Sequence, residues 1–246
     1  MLNHPFSIFP FKIKSYQSDQ EGKLSLNSLF HLLQECAWDN ARLNNFGYEY
    51  LESKNAFWVL SRVFVEMIEY PEWKDEIEIK TWPKGTDGFF AIRDFQITKN
   101  GKVIGNATSY WLILDKDSKR PKRLDNFNFI HENFLNESAI STKLEKISIN
   151  SETTELERRK VYASDLDVNK HVNNATYVRW ILDSYFSKSL KPIAEFEINF
   201  LSELLLNDEF IVCNTTDKSC DDFILKNTQD KEICKARFNY KKTSDN

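Results

Sequence analysis

The chain has 246 residues, 41% hydrophobic and 14% aromatic, enough apolar material to build a core in one large domain or two small ones. A formal net charge of -4 argues against a general nucleic-acid binder, whose surface is normally basic. Cys36, Cys213, Cys220 and Cys234 form no CxxC pair and no Cys/His ligand spacing, so the expectation is reduced thiols, no structural zinc and no cofactor.

In chain order, the opening "MLNHPFSIFPFKIKSY" lacks a charged n-region and a long apolar h-region, and Pro5 and Pro10 interrupt it. No stretch approaches the roughly 20 apolar residues that a membrane helix needs, so no membrane association is expected. Leu29, Leu32, Leu33 and Cys36 then fall on one helical stripe. Alternating strands follow in "RVFVEMI", "DEIEIKTW", "FFAIRDFQIT" and "KVIGNATSYWLIL". Asn100-Gly101 supplies the positive φ of a tight hairpin between the last two.

A polar, irregular stretch comes next and predicts a linker over 119–150, between an N-terminal unit over 1–118 and a C-terminal unit over 151–246. Cations gather here and just beyond it: Arg120, Lys122 and Arg123, then Arg158 and Arg159. They suit an acidic partner, though a solvated stretch that merely balances charge explains them equally well.

The second unit opens with "DLDVNKHVNN" over 165–174, ahead of "NATYVRWILDSYF". Ala175, Val178, Ile181, Leu182 and Tyr185 make that second run an amphipathic helix, with Asn173 or Asn174 as its N-cap. The strands "EFEINFL", "DEFIVCNT", "FILKNT" and "EICKARFNY" follow, with a weaker turn at 229–231.

The two halves repeat. Tyr16, Ser18, Asp19 and Asn27 match Tyr162, Ser164, Asp165 and Asn173 at an offset of 146, and Asp75-Glu76 matches Asp208-Glu209 at 133. The difference, 146 - 133 = 13 residues, is placed in "NNFGYEYLESKNAF". The pattern predicts a duplicated α+β unit, each copy a long helix followed by an antiparallel sheet able to wrap round it.

Asp167, Asn169 and His171 stand at i, i+2 and i+4 just before the second helix, where their side chains can point the same way. An imidazole moves protons near neutral pH, and a carboxamide N–H₂ can bind an oxyanion or steer a water. The short Asp167 side chain suits holding the other two in orientation. At the 146 offset these positions become Glu21, Lys23 and Ser25 in the first half, which predicts a single active site, in the second. The bland alternative is capping and turn formation, and it is preferred for Asp165, Asn173 and Asn174. His4, His31 and His131 have no constellation.

"DLDVNKHVNNATYVRWILDS", "FWVLSRVFVEMIEYPEWKDEIEIKTW" and "GFFAIRDFQI" resemble acyl-acyl carrier protein thioesterases, known from plant plastids and from bacteria. The resemblance spans nearly the whole chain. It implies a double hotdog fold with the chemistry in the second repeat and the acyl cavity largely in the first. It also implies a strand acid after the second helix, placed at Glu203, which would activate water together with His171.

In the plant enzymes that acid is followed by Cys; here Leu204 follows, which argues against a covalent thiol mechanism. Phe57, Trp58, Phe89 and Phe90 are candidates for the acyl slot, and the basic residues at 120, 122, 123, 158 and 159 for the carrier-protein patch. The partner implied is acyl carrier protein bearing a phosphopantetheine-linked acyl chain. With no plastid transit peptide ahead of the first unit, a bacterial cytoplasmic enzyme is expected; oligomeric state is left open, a homodimer included.

The alternatives are an acyl-CoA thioesterase and a non-catalytic carrier-binding module. A hotdog hydratase is disfavoured because its signature keeps a Pro between Asp and His.

Overall fold

The computed structural model describes residues 6–127, 134–135, 137–187, 192–216 and 220–240. The chain forms two compact units, Met1–Lys143 and Leu144–Asn246. The stretch 119–150 contributes to both. Leu124 and Phe127 pack against Leu51, Ala56 and Ile113 in the first unit, and the Ile147 N–H donates to Asn199 Oδ1 in the second.

The first unit holds β1 (Ser7–Lys12), α1 (Leu26–Leu43), α2 (Tyr48–Glu52), β2 (Ala56–Met67), β3 (Glu76–Asp87), β4 (Phe90–Lys99) and β5 (Lys102–Asp115). Its strands pair antiparallel in the order β1-β3-β4-β5-β2. The second holds β6 (Thr154–Lys160), α3 (Asn174–Phe186), β7 (Ile193–Phe200), β8 (Glu209–Thr216), β9 (Asp221–Asn227) and β10 (Glu232–Tyr240). Its order, β6-β8-β9-β10-β7, is the same topology again. One long helix against a five-stranded sheet in each unit gives the α+β double hotdog that the sequence predicts.

Periodicity explains the helices. Leu29, Leu32, Leu33 and Cys36 of α1 are buried, as are Ala175, Val178, Ile181, Leu182 and Tyr185 of α3. Tyr185 stacks on Phe238 at 5.0 Å and Trp180 packs at a tilt on Phe210 at 4.3 Å, so α3 is anchored to its sheet by aromatic contacts. Asn173 is the N-cap: its Oδ1 accepts the Ala175 N–H at 2.9 Å. Asn173→Ala should therefore cost about 1 kcal/mol of stability, read as a lowered Tm.

Asn100 and Gly101, at φ 52° and 73°, make the tight β4–β5 turn. Two strands are absent from the sequence reading, β1 and β6, both at sheet edges. β1 carries Pro10, which an edge strand tolerates; β6 reads "TELERRK", charges that suit an edge closed to further pairing.

The hydrogen bonds correct the register of the repeat. Asp19 N–H donates to Lys23 O and Ser25 N–H to Gln17 O; Asp167 N–H donates to His171 O and Asn173 N–H to Asp165 O. These pairs correspond at an offset of 148, not 146. Leu24 N–H donates to Pro71 O as Val172 N–H does to Leu204 O, which keeps the later offset at 133. The first unit thus has 148 - 133 = 15 extra residues between these points, spent on a longer helix and on α2. The identities at 146 are incidental, because backbone bonding and not side-chain likeness defines equivalence here.

Candidate active site

The segment after β6 is a short 3-10 turn, Ala163–Asp165, followed by a tight loop closed by the Leu166–Val172 bridge. Asp165 is buried; its carboxylate accepts the Tyr162 N–H at 2.8 Å and pairs with Arg179 of α3 at 2.5 Å. In the loop, Asp167 Oδ1 accepts the backbone N–H of Asn169 at 2.8 Å and of His171 at 3.3 Å. One carboxylate therefore shapes the backbone under both residues. Lys170 completes the turn at φ 64°, where the first unit has Gly22 at φ 76°.

At the corrected offset Asp167 corresponds to Asp19, whose Oδ1 accepts the N–H of Glu21 at 2.9 Å and of Lys23 at 3.0 Å. The inference that every chemical position differs between the halves is thus amended. The aspartate is common to both turns, and what differs is Asn169 against Glu21, His171 against Lys23, and Glu203 against Tyr70.

Glu203 lies in the loop beyond β7 rather than on a strand. The Val172 N–H donates to Leu204 O at 3.4 Å, joining the residues that follow His171 and Glu203. That joint brings His171 Nδ1 within 3.2 Å of Glu203 Oε2, with the two side chains 41% and 60% exposed, so the pair meets solvent. A carboxylate at Nδ1 favours the tautomer with hydrogen on Nδ1, which leaves the Nε2 lone pair free to take a proton. The Asn169 carboxamide belongs to an exposed residue of the same turn. Val168, Leu201, Leu205 and Leu206 flank the pair in sequence and are exposed, Val168 to 89%.

The predicted acyl-slot residues are not gathered in one place. Phe57 and Trp58 are consecutive on β2 and so face opposite sides. Phe57 lies under Lys119 Nζ at 5.0 Å, whereas Trp58 Nε1 donates to Phe46 O and its ring packs on the Leu51 cluster. Phe89 is an exposed turn residue, and Phe90 packs on Tyr110 and beneath the Arg62 guanidinium.

Among the predicted basic residues, Lys122 pairs with Asp115, Arg158 with Glu155, and Arg159 with Glu157 and Asp183. Arg120 and Arg123 are exposed. A cleft of about 640 Å³ in the second unit is lined by Arg158, Arg159, Lys160, Tyr162, Arg179 and Phe210 among others.

Burial pushes the Cys36 thiol up to about 12 and raises Cys234 further, so neither ionises near neutral pH to act as a nucleophile. Among the described residues no cluster of His, Cys, Asp and Glu is arranged to hold a metal, and no helix is long and apolar enough to cross a membrane.

The chain matches the acyl-ACP thioesterase N-terminal domain over residues 9–128 and the acyl-ACP thioesterase C-terminal domain over 148–242. It is 30% identical over 210 residues to a chloroplastic palmitoyl-acyl carrier protein thioesterase of Gossypium hirsutum, covering 80% of this chain and 49% of that one. To oleoyl-acyl carrier protein thioesterase 2 of Arabidopsis thaliana it is 29% identical over 195 residues, 71% of this chain and 52% of the relative. The chain spans about half the length of these curated relatives.

An acyl-ACP thioesterase from Bacteroides thetaiotaomicron superposes with a TM-score of 0.88 at 25% identity, covering 96% of this chain and 98% of that one. The 12:0-ACP thioesterase of Umbellularia californica, 21% identical, shares the fold with a TM-score of 0.84 over 98% of both chains. Two domain models matched in order, one on each hotdog unit, make the chain a member of the acyl-ACP thioesterase family.

Proposed function

We propose that this chain hydrolyses fatty acyl thioesters carried on acyl carrier protein, releasing the fatty acid and the free phosphopantetheine thiol. The observation that carries this reading is the 3.2 Å contact between His171 and Glu203, present on only one of two turns built alike. A module that merely bound the carrier would have no use for an oriented imidazole open to water.

In the proposed reaction Glu203 holds His171, whose Nε2 removes a proton from a water as that water attacks the thioester carbonyl carbon. The carbonyl oxygen gains negative charge, and the Asn169 carboxamide N–H₂ donates to it. As the intermediate collapses, the carbon–sulfur bond breaks and the imidazolium returns its proton to the departing sulfur. Asp167 keeps Asn169 and His171 on one rigid turn throughout. The exposed Val168, Leu201, Leu205 and Leu206 suit a substrate that brings a lipid chain to this loop.

Carrier protein is favoured over coenzyme A by family membership, and the exposed Arg120 and Arg123 suit an acidic carrier. Offering acyl carrier protein and coenzyme A thioesters of several chain lengths while following thiol release tests the assignment. Faster turnover on the carrier protein is expected. Equal or better turnover on coenzyme A would transfer the assignment to acyl-CoA, and no hydrolysis of either would leave a binding module.

A further inference from the structure

We propose that Tyr177 is a positioning residue for the reacting pair: its hydroxyl holds the Leu204 backbone and, through it, keeps Glu203 against His171. The inference rests on the hydrolytic reading above. Tyr177 Oη accepts the buried Leu204 N–H at 3.0 Å, one residue beyond Glu203. The Leu204 carbonyl accepts from Val172, one residue beyond His171. Leu204 is thereby held at both ends, and the two chemical side chains hang from the residues just before this joint.

The tyrosine has little freedom to drift. It is 2% exposed, and its ring packs edge-on against Trp180 at 5.3 Å and Phe200, the last residue of β7, at 5.7 Å. Burial raises the phenol well above its ordinary range, so it stays a neutral hydroxyl near neutral pH.

A plainer reading is that the hydroxyl only satisfies a buried N–H. The duplicated unit argues against this. At the corrected offsets Tyr177 corresponds to the buried Leu29 and Leu204 to Pro71. Leucine offers no acceptor and proline has no N–H, so that pair leaves nothing unsatisfied with no hydrogen bond at all. The same joint still forms there, with Leu24 N–H on Pro71 O at 2.8 Å. Burial alone therefore does not demand the tyrosine. It stands in the unit that carries His171 and Glu203, where a polar link from the helix to the Glu203 loop has something to aim.

The test compares Tyr177→Phe with Tyr177→Phe/Leu204→Pro, which removes the unpaired N–H as well. In Tyr177→Phe, kcat should fall about tenfold with KM unchanged, as expected for a misplaced reacting group. The ¹⁵N signals of the His171 ring should move in the direction that Glu203→Gln moves them. In the double variant kcat should stay low although no N–H is left unpaired. Tm is not the readout there, because Leu204 is 2% exposed and proline also removes its core packing.

A Tyr177→Phe enzyme with kcat within about twofold of wild type and unmoved His171 signals would overturn the proposal. So would a double variant that regains kcat. Failure of the wild-type protein to hydrolyse any thioester would count against the proposed reaction instead, and the imidazole signals would then decide the Tyr177 role by themselves.

Discussion

His171→Ala should lower kcat/KM by about a hundred- to ten-thousand-fold, the span that a positioned proton-transfer group contributes. The side chain is 41% exposed and its ion-pair partner, Glu203, is more exposed still, so Tm should barely change. Glu203→Gln keeps the shape and removes the anion that orients Nδ1. Its loss should fall between wild type and His171→Ala, with KM little affected. Thiol release measured beside a thermal melt checks both, and full activity in His171→Ala would end the case for this site.

Asp167→Ala and Asp19→Ala form a second, internally controlled pair. Each removes a carboxylate that accepts two backbone N–H groups of a tight turn, with distances of 2.8 and 3.3 Å in one case and 2.9 and 3.0 Å in the other. Both should lose stability by similar amounts, about 1 kcal/mol for such part-exposed bonds. Only Asp167→Ala should lose turnover, about a hundredfold, because the backbone it releases carries Asn169 and His171. Asp19 supports Glu21 and Lys23, for which the proposed reaction has no role. Equal activity losses in the two variants would mean that the turn acts through stability alone.

The same comparison shows how far side-chain likeness can be trusted. Four identities supported an offset of 146, whereas the hydrogen bonds equate residues at 148 and leave Asp19 opposite Asp167. The expectation of a single site in the second unit does not depend on that shift, since Lys23 and Tyr70 stand where His171 and Glu203 do. The aspartate does not distinguish the units; it is a turn former in both. Asp165, set aside as a cap, accepts the Tyr162 N–H and is also paired with Arg179 of α3, a contact across 14 positions that nothing local signals.

Local chemistry was legible wherever a segment's own residues dictate its shape. The 3.6-residue stripes predicted α1 and α3, Asn100-Gly101 predicted its hairpin, and the crowded carboxylate, carboxamides and imidazole ahead of α3 marked the candidate site. Tertiary structure alone decided the rest. β1 and β6 are strands because β3 and β8 offer them a free edge; Pro10 in one and the charged run of the other give no propensity for it. Glu203 meets His171 because Val172 N–H bonds Leu204 O, and Tyr177 reaches the same residue from the helix. The first bond joins peptide groups that every residue but proline can offer, and the second reaches a hydroxyl 27 positions away. Neither partner is therefore marked in the local order of side chains, and both are settled only when the sheet and helix close on one another.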